Sequence, residues 1–242
     1  MKYYLISGEA SGDLHGSHLI AALKKLDPNA HFRAWGGDLI KKEGVELVKH
    51  YKDIAYMGFW EVIRNLINIL KNIQFCKDDI VKFKPDVIIY VDYPGFNLRI
   101  AKWAKSKGFE NHYFISPQVW AWKESRVEKI KKFINSLYVI LPFEKTFFED
   151  KYDFKVHYVG HPLMDYISKH EENKQFLSNN LLDESKPIVT LMPGSRIQEI
   201  RKILPLFVRV ASKFPNHQFI IAGAPSIPLD YYNHLIGNAP LK

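Results

Sequence analysis

Several hydrophobic runs in this sequence end on an acid, a histidine or a glycine turn carrying an arginine. Val87-Ile88-Ile89-Tyr90-Val91 leads directly into Asp92, and a carboxylate at the carboxyl end of a buried strand is placed for general-base work. The same acid could instead brace the Pro94-Gly95 turn that follows, with Asn97 close behind as a further polar group. Tyr3–Ser7 runs into Gly8-Glu9-Ala10-Ser11-Gly12-Asp13. Small residues there let a ligand approach backbone N–H groups and a helix N-terminus, while Glu9 would repel a phosphate and suits a sugar hydroxyl. The spacing is not G-x-G-x-x-G, so no nicotinamide cofactor is expected. A tight strand-to-helix connection with Asp13 as its cap is the plain structural alternative.

Three further segments carry chemistry of the same kind. Ile115-Ser116-Pro117-Gln118-Val119-Trp120-Ala121-Trp122 ends a run with two indoles and polar groups, a combination that packs sugars or acyl chains when it is not simply core. His161 ends another run in Val159-Gly160-His161-Pro162, and a single histidine there reads more readily as structural than as catalytic. In Pro193-Gly194-Ser195-Arg196-Ile197-Gln198 the spacing of Ser195 and Gln198 is that of a capping box. Arg196 is not explained by capping, because a cation on the first helical turn opposes the macrodipole; an anion such as a diphosphate would account for it. No Asp-x-Asp pair occurs in the chain, which disfavours sugar transfer through a carboxylate-held metal.

Elements that could position these groups alternate along the chain. Tyr3–Ser7, His31–Trp35, Val87–Val91, His112–Ile115, Leu137–Leu141 and Val156–Val159 read as strands, and Leu14–Leu26, Phe59–Phe83, Leu98–Lys107 and Arg126–Phe133 have helical spacing. Near-continuous hydrophobic strands between helices mean a parallel sheet covered on both faces, a doubly wound α/β domain. We expect it to span residues 1–167. A polar connection follows over 168–186, and a second Rossmann-like domain begins over 187–242 with strands Ile188–Met192 and Phe219–Ala222 around one long helix, Arg196–Lys213. Two strands without a closing element read as the start of a domain rather than the whole of one, so an incomplete donor half is expected, with weak UDP binding and little or no sugar transfer by these residues alone.

Composition narrows the class. The 242 residues are 47% hydrophobic and 25% charged, with a formal net charge of +8 shared equally between the two halves. The densest basic run, residues 123–132, alternates with acids and reads as a solvated helix face. With no basic tail and no recognisable nucleic-acid module, a nucleic-acid partner is not expected. Cys76 is the single cysteine, which fits a reducing, cytoplasmic setting, and the opening apolar run is too short for a signal peptide. Phe59–Phe75 carries two apolar stripes at helical spacing: Phe59, Val62, Leu66, Ile69 and Ile73 make one, and Trp60, Ile63, Ile67 and Leu70 the other. A helix covering a sheet needs one. The surplus stripe suits a bilayer interface, while Glu61, Arg64 and Lys71 argue against a spanning helix.

Taken together, Ser7-Gly8-Glu9-Ala10-Ser11-Gly12-Asp13, Met57-Gly58, Lys84-Pro85-Asp86, Ile115–Trp122, Leu141-Pro142-Phe143-Glu144 and Pro193-Gly194-Ser195-Arg196 resemble the lipid-A-disaccharide synthase family, in order and along essentially the whole chain. The resemblance implies a GT-B fold and a metal-independent, cofactor-free inverting glycosyltransferase. Its substrates would be UDP-2,3-diacylglucosamine and 2,3-diacylglucosamine 1-phosphate (lipid X), met at the cytoplasmic face of the inner membrane of a Gram-negative bacterium. A homodimer is compatible with it. The resemblance assigns catalysis to Asp92 and Glu9, and the donor diphosphate to Arg196 with Ser195 and Gly194. Ser11, Gly12, Asn97, Gln118, Trp120 and His161 become candidates for the acceptor cleft. Where many relatives have a second acid three residues after the first, this chain has Gly95. A UDP-sugar 2-epimerase-like isomerase or hydrolase is the alternative on the same fold.

Overall fold

The computed structural model describes residues 1–54, 66–168, 170–237 and 239. The chain forms two compact units, Met1–Lys169 and His170–Lys242. In the first, seven parallel strands are arranged in the order β3-β2-β1-β4-β5-β6-β7: β1 (Lys2–Ser7), β2 (His31–Gly36), β3 (Glu46–His50), β4 (Val87–Val91), β5 (Glu110–Phe114), β6 (Ser136–Val139) and β7 (His157–Tyr158). Strand order reverses between β1 and β4, and in open α/β sheets the crevice forms outside the carboxyl ends at such a switch point.

Alternation along β1 and β4 explains why their runs are unbroken. Tyr4, Ile6, Ile88 and Tyr90 enter one core, while Tyr3, Leu5, Val87, Ile89 and Val91 enter the other. Helices α3 (Leu66–Phe83), α4 (Pro94–Ser106), α5 (Val127–Phe133) and α6 (Pro142–Tyr152) supply residues to the first core, and α1 (Ala10–Leu26) and α2 (Asp38–Lys42) to the second. Both faces are therefore apolar at every position. The first core also encloses a polar chain. The buried Asp79 carboxylate accepts from Tyr4 Oη at 2.7 Å and from Arg33 Nε and Nη2 at 2.8 and 2.7 Å, and Tyr4 Oη accepts from Trp35 Nε1 at 2.8 Å.

The structure adds elements to the sequence reading. Strand β3 is an edge strand that stays half-exposed, and α2 and α6 occupy stretches to which the sequence reading assigns no element. Asp13 does not cap the helix it sits in. It is buried in α1 and accepts from the backbone N–H groups of Gly37, Leu39 and Ile40 at 2.7 to 3.0 Å, so it caps α2 instead. The N-cap of α1 is Glu9. On α3, Ile69 and Ile73 pack into the first core while Ile67 and Leu70 are exposed. Trp60 and Ile63 lie outside the described residues. Among the described residues, no helix is long and apolar enough to cross a membrane.

After α7 (Leu163–Ser168), the second unit contains a short α8 (Phe176–Asn179), then β8 (Ile188–Leu191) parallel to β9 (Gln218–Ile221). Helix α9 (Ile197–Ala211) closes one small core with Leu191, Ala211 and Phe219. Within residues 187–242 a second helix corrects the expectation of only one: α10 (Leu229–Ile236) follows β9 and sets Tyr232 against Ile200 and Leu204.

Candidate active site

The loops after β1 and β4 meet at the switch point. Their strands are paired with Ser7 opposite Val91, and the loops touch at once beyond that: a Cβ on Gly8 would stand 2.3 Å from Cδ1 of Tyr93. Only a glycine admits that ring. Glu9 and Asp92 thus stand on adjoining loops at the carboxyl edge, and both are partly exposed. Beneath them Gly12 lets the first turn of α1 press on β1, where a Cβ would fall 2.9 Å from Ser7 Cβ. Gly12 is buried by that packing, whereas Ser11 is exposed on the same turn.

Asp92 sits on a sharp elbow. Asp92 and Tyr93 both have left-handed backbone, with φ of 44° and 50°, before Pro94 opens α4. Asp tolerates this region, but a tyrosine before proline does so only at a cost of ~1–3 kcal/mol that the surroundings must offset. Three groups supply that support. Asn97 Nδ2 and Tyr113 Oη each donate to the Asp92 carbonyl at 2.6 Å, and Tyr93 Oη donates to the Ile54 carbonyl at 3.2 Å. Asn97 is fully buried, so it holds the elbow instead of lining a cleft. Burial, with the Asp92 charge next, pushes the Tyr113 phenol well above its ordinary value, which keeps it protonated and donating.

The third loop of this edge follows β5. Ile115, a β-branched residue at φ 65°, turns it. Gln118 is exposed, and Trp120 is held by its Nε1–H donating to Glu144 Oε1 at 3.3 Å and by the edge of Phe143. Glu144 also accepts from the N–H groups of Ile140 and Leu141 at the start of α6. The Leu-Pro-Phe-Glu segment thereby fixes an indole at the sheet mouth. Trp122 is more exposed and lies under Lys123 Nζ at 4.5 Å and the Arg126 guanidinium at 5.0 Å.

His161 is not a lone histidine. Its ring meets that of His15 edge-on at 6.4 Å, and His18 stacks on Tyr166 at 6.3 Å, so residues 161–168 lie along α1. Burial, then His161 and His18, hold the His15 imidazole below its ordinary pKa. The sequence offered no sign of this pairing, because the partners lie at opposite ends of the unit.

In the second unit the glycine turn is organised by a residue the sequence reading passed over. Helix α9 begins at Ile197, so Arg196 is its N-cap rather than a residue of its first turn, and its side chain accepts no capping hydrogen bond; it is Glu199 that holds the turn before the helix. Glu199 Oε2 accepts from Ser195 N–H at 3.1 Å, and Oε1 pairs with Arg196 Nη1 at 3.2 Å. Gly194, at φ 113°, is required where a Cβ would fall 2.6 Å from Glu199 Oε2. A carboxylate therefore already lies where the helix N-terminus and the arginine favour an anion.

Comparison with known proteins decides which family built this edge. The family model described as lipid-A-disaccharide synthetase matches residues 3–228. The chain belongs to that family. A lipid-A-disaccharide synthase of Coxiella burnetii (strain Dugway 5J108-111) is 41% identical over 234 residues, covering 93% of this chain and 61% of the relative. One of Geobacter metallireducens is 40% identical over 230 residues, covering 93% and 60%. The chain thus spans about three fifths of the length of these relatives. Among solved structures, a UDP-GlcNAc 2-epimerase from Neisseria meningitidis bound to UDP-GlcNAc matches with a TM-score of 0.66 at 12% identity, covering 100% of this chain and 71% of that one. The glycotransferase of kitacinnamycin matches with a TM-score of 0.56 at 13% identity, covering 100% and 70%. At such identities the likeness shows the fold alone, which is of the GT-B type.

Proposed function

We propose that this chain carries the acceptor side of an inverting glycosyltransferase of lipid A biosynthesis. It transfers 2,3-diacylglucosamine from UDP-2,3-diacylglucosamine to the 6-hydroxyl of 2,3-diacylglucosamine 1-phosphate. The observation that carries the reading is the Asp92 carboxylate on its braced elbow beside the Glu9 loop, in a chain of this family. Asp92 accepts the proton of the 6-hydroxyl as that oxygen attacks the anomeric carbon, whose bond to the UDP oxygen breaks on the opposite face, giving the β-1′,6 linkage. Glu9 accepts from sugar hydroxyls and fixes the ring against the elbow. Ser11, Gln118, Trp120 and His161, on neighbouring segments of the carboxyl edge, contact the rest of the acceptor. Arg196 and the amides of Gly194 and Ser195 meet the charge that develops on UDP, a task for which Arg196 exchanges Glu199 for the diphosphate. No metal takes part in this reading, in keeping with the absence of an Asp-x-Asp pair from the sequence.

The acylated substrates place the reaction at a lipid surface, and the exposed Ile67 and Leu70 of α3 supply apolar contact for it at the cytoplasmic side of the inner membrane. The test is incubation of the protein with both acylated substrates and mass detection of the disaccharide phosphate, wild type against Asp92→Asn. The variant is expected to bind substrate and lose ~10²–10⁴-fold in turnover. Near-wild-type turnover by a folded Asp92→Asn protein would remove Asp92 from the mechanism. Conversion of a soluble UDP-sugar without lipid would favour the epimerase-like alternative.

A further inference from the structure

The two carboxylate oxygens of Glu144 have separate tasks. Oε2 accepts from the backbone N–H groups of Ile140 and Leu141 at 3.1 and 2.9 Å, which caps the start of α6. Oε1 takes no part in the cap and accepts from Trp120 Nε1–H at 3.3 Å. Glu144 is 1% exposed, and a carboxylate taken out of water needs its oxygens filled. The cap fills one of them. The other holds an indole that is itself 37% exposed, with the half-exposed Phe143 edge-on to it at 4.9 Å. Core packing does not account for an exposed ring tied to a buried anion. A ligand that needs the ring in one orientation does.

Position and electronics agree on the kind of ligand. Strand β5, which leads into residues 115–122, is paired with β4 so that Phe114 stands opposite Val91, the residue before Asp92. Tyr113 of the same strand donates to the Asp92 carbonyl at 2.6 Å. The indole loop and the Asp92 elbow therefore leave the sheet side by side. An anionic acceptor on an indole N–H adds electron density to the ring, whose face is already the negative part of its quadrupole. Such a face attracts C–H groups polarised by neighbouring oxygens, which a pyranose presents on its flat side and an alkyl chain lacks. Gln118, exposed on the same loop, adds a donor and an acceptor for a hydroxyl.

We infer that Trp120 is the platform on which the pyranose ring of the acceptor stacks, and that Glu144 is a positioning residue that acts through it. This rests on the glycosyltransferase reading above for the identity of that sugar.

Glu144→Gln separates the two tasks. Its carbonyl oxygen still accepts from the α6 amides, while its NH2 group meets the indole N–H donor to donor and releases it. Trp120→Phe removes the same bond from the other side, Trp120→Ala removes the platform, and thermal melts confirm that each folds. Trp120 is partly exposed, so its variants keep the test open if Glu144→Gln does not fold. The first probe is glucosamine 1-phosphate, which has the ring without the chains, followed by NMR through the isotope-labelled indole N–H resonances; Trp120→Phe identifies the relevant one. In wild type the Trp120 resonance is expected to move saturably with this sugar. The second is equilibrium binding of 2,3-diacylglucosamine 1-phosphate in detergent micelles. Trp120→Ala is expected to bind it about tenfold more weakly, and Glu144→Gln and Trp120→Phe about threefold. Glu144→Gln combined with Trp120→Ala should be no weaker than Trp120→Ala, because Glu144 acts only through the indole. In the transfer assay the acceptor KM should rise by the same factors while kcat stays within about twofold. A Trp120 resonance unmoved by the sugar overturns the proposal, and movement with the acylated lipid alone makes the indole an acyl contact. Full binding by Trp120→Ala overturns it too, as does a further loss in the double variant, which would leave Glu144 a structural role only. If the sugar and lipid bind as expected but no disaccharide forms, the platform stands and the glycosyltransferase reading falls.

Discussion

Replacing Asp79 by alanine is a demanding test of how the first unit is held together. The carboxylate is buried and receives three charge-assisted or phenolic hydrogen bonds, from Tyr4 and from both sides of the Arg33 fork. Arg33 has a second partner in Glu46, but that acid is on the exposed side, with 65% of its side chain accessible against 7% for Asp79. Removing Asp79 therefore leaves a guanidinium that is itself only 19% exposed with one solvent-screened partner. It also takes from Tyr4 Oη its acceptor, although that oxygen still accepts from Trp35. Breaking a buried pair in this way costs ~3–5 kcal/mol. For a unit of this size each kcal/mol lowers Tm by ~2–4 °C, so a fall of ~6–20 °C is expected for the transition of the first unit. Differential scanning calorimetry with Asp79→Ala, Tyr4→Phe and the double variant measures it. The double variant should cost less than the sum of the singles, because the Tyr4 to Asp79 bond is counted in both. A fall of less than ~3 °C for Asp79→Ala, or strict additivity, would refute the reasoning.

Three other outcomes are expected. His15 has a folded pKa held below its ordinary 6.5 by burial, His161 and His18. The unfolded chain therefore binds the proton more readily, and stability present above pH ~6.5 is lost as pH falls through the depressed value. Urea melts across that window should show the slope, and His15→Leu should remove it. Asn97→Leu deletes the donor that holds the Asp92 carbonyl; turnover should fall at least tenfold with acceptor KM little changed, read by steady-state kinetics. Gly12→Val forces a side chain into Ser7, and thermal melts should register ~1–3 kcal/mol of destabilisation.

How much of this was legible in the sequence depended on where each signal resides. Strands β1 and β4 could be read because burial on both faces makes every position apolar. Strand β3, Glu46-Leu47-Val48-Lys49-His50, was missed because an edge strand carries charge among its apolar residues. Helix α6 did announce itself, with Pro142 at its first turn and Glu144 placed to cap it, a signal the aromatic residues around it obscured. At the site, the placing of Asp92 and Glu9 at adjoining strand ends follows from strand order, which hydrophobic pattern constrains. The left-handed pair Asp92-Tyr93 does not, since proline ordinarily keeps its predecessor extended. The His15 to His161 contact and the Asp13 cap of α2 depend on tertiary approach, to which composition and periodicity are blind. Glu199 could have been weighed beside Gln198, because it follows it directly in the sequence and a carboxylate that close to the glycine turn can accept from its amides, as it does from Ser195 N–H.

The Asp13 cap also bears on how the chain comes off the ribosome. Asp13 fastens to Gly37, Leu39 and Ile40, contacts separated by few enough residues to close quickly. The β1-α1-β2-α2-β3 segment can therefore lock as soon as His50 has emerged. The other edge of β1 has no such local partner and waits for Val87–Val91. At ~5–20 residues per second, the ~40 residues in between take ~2–8 s to synthesise. For that interval Tyr3–Ser7 presents an open edge of unpaired backbone groups on a strand rich in apolar side chains, and the nascent chain is vulnerable to pairing with a neighbour on the same polysome.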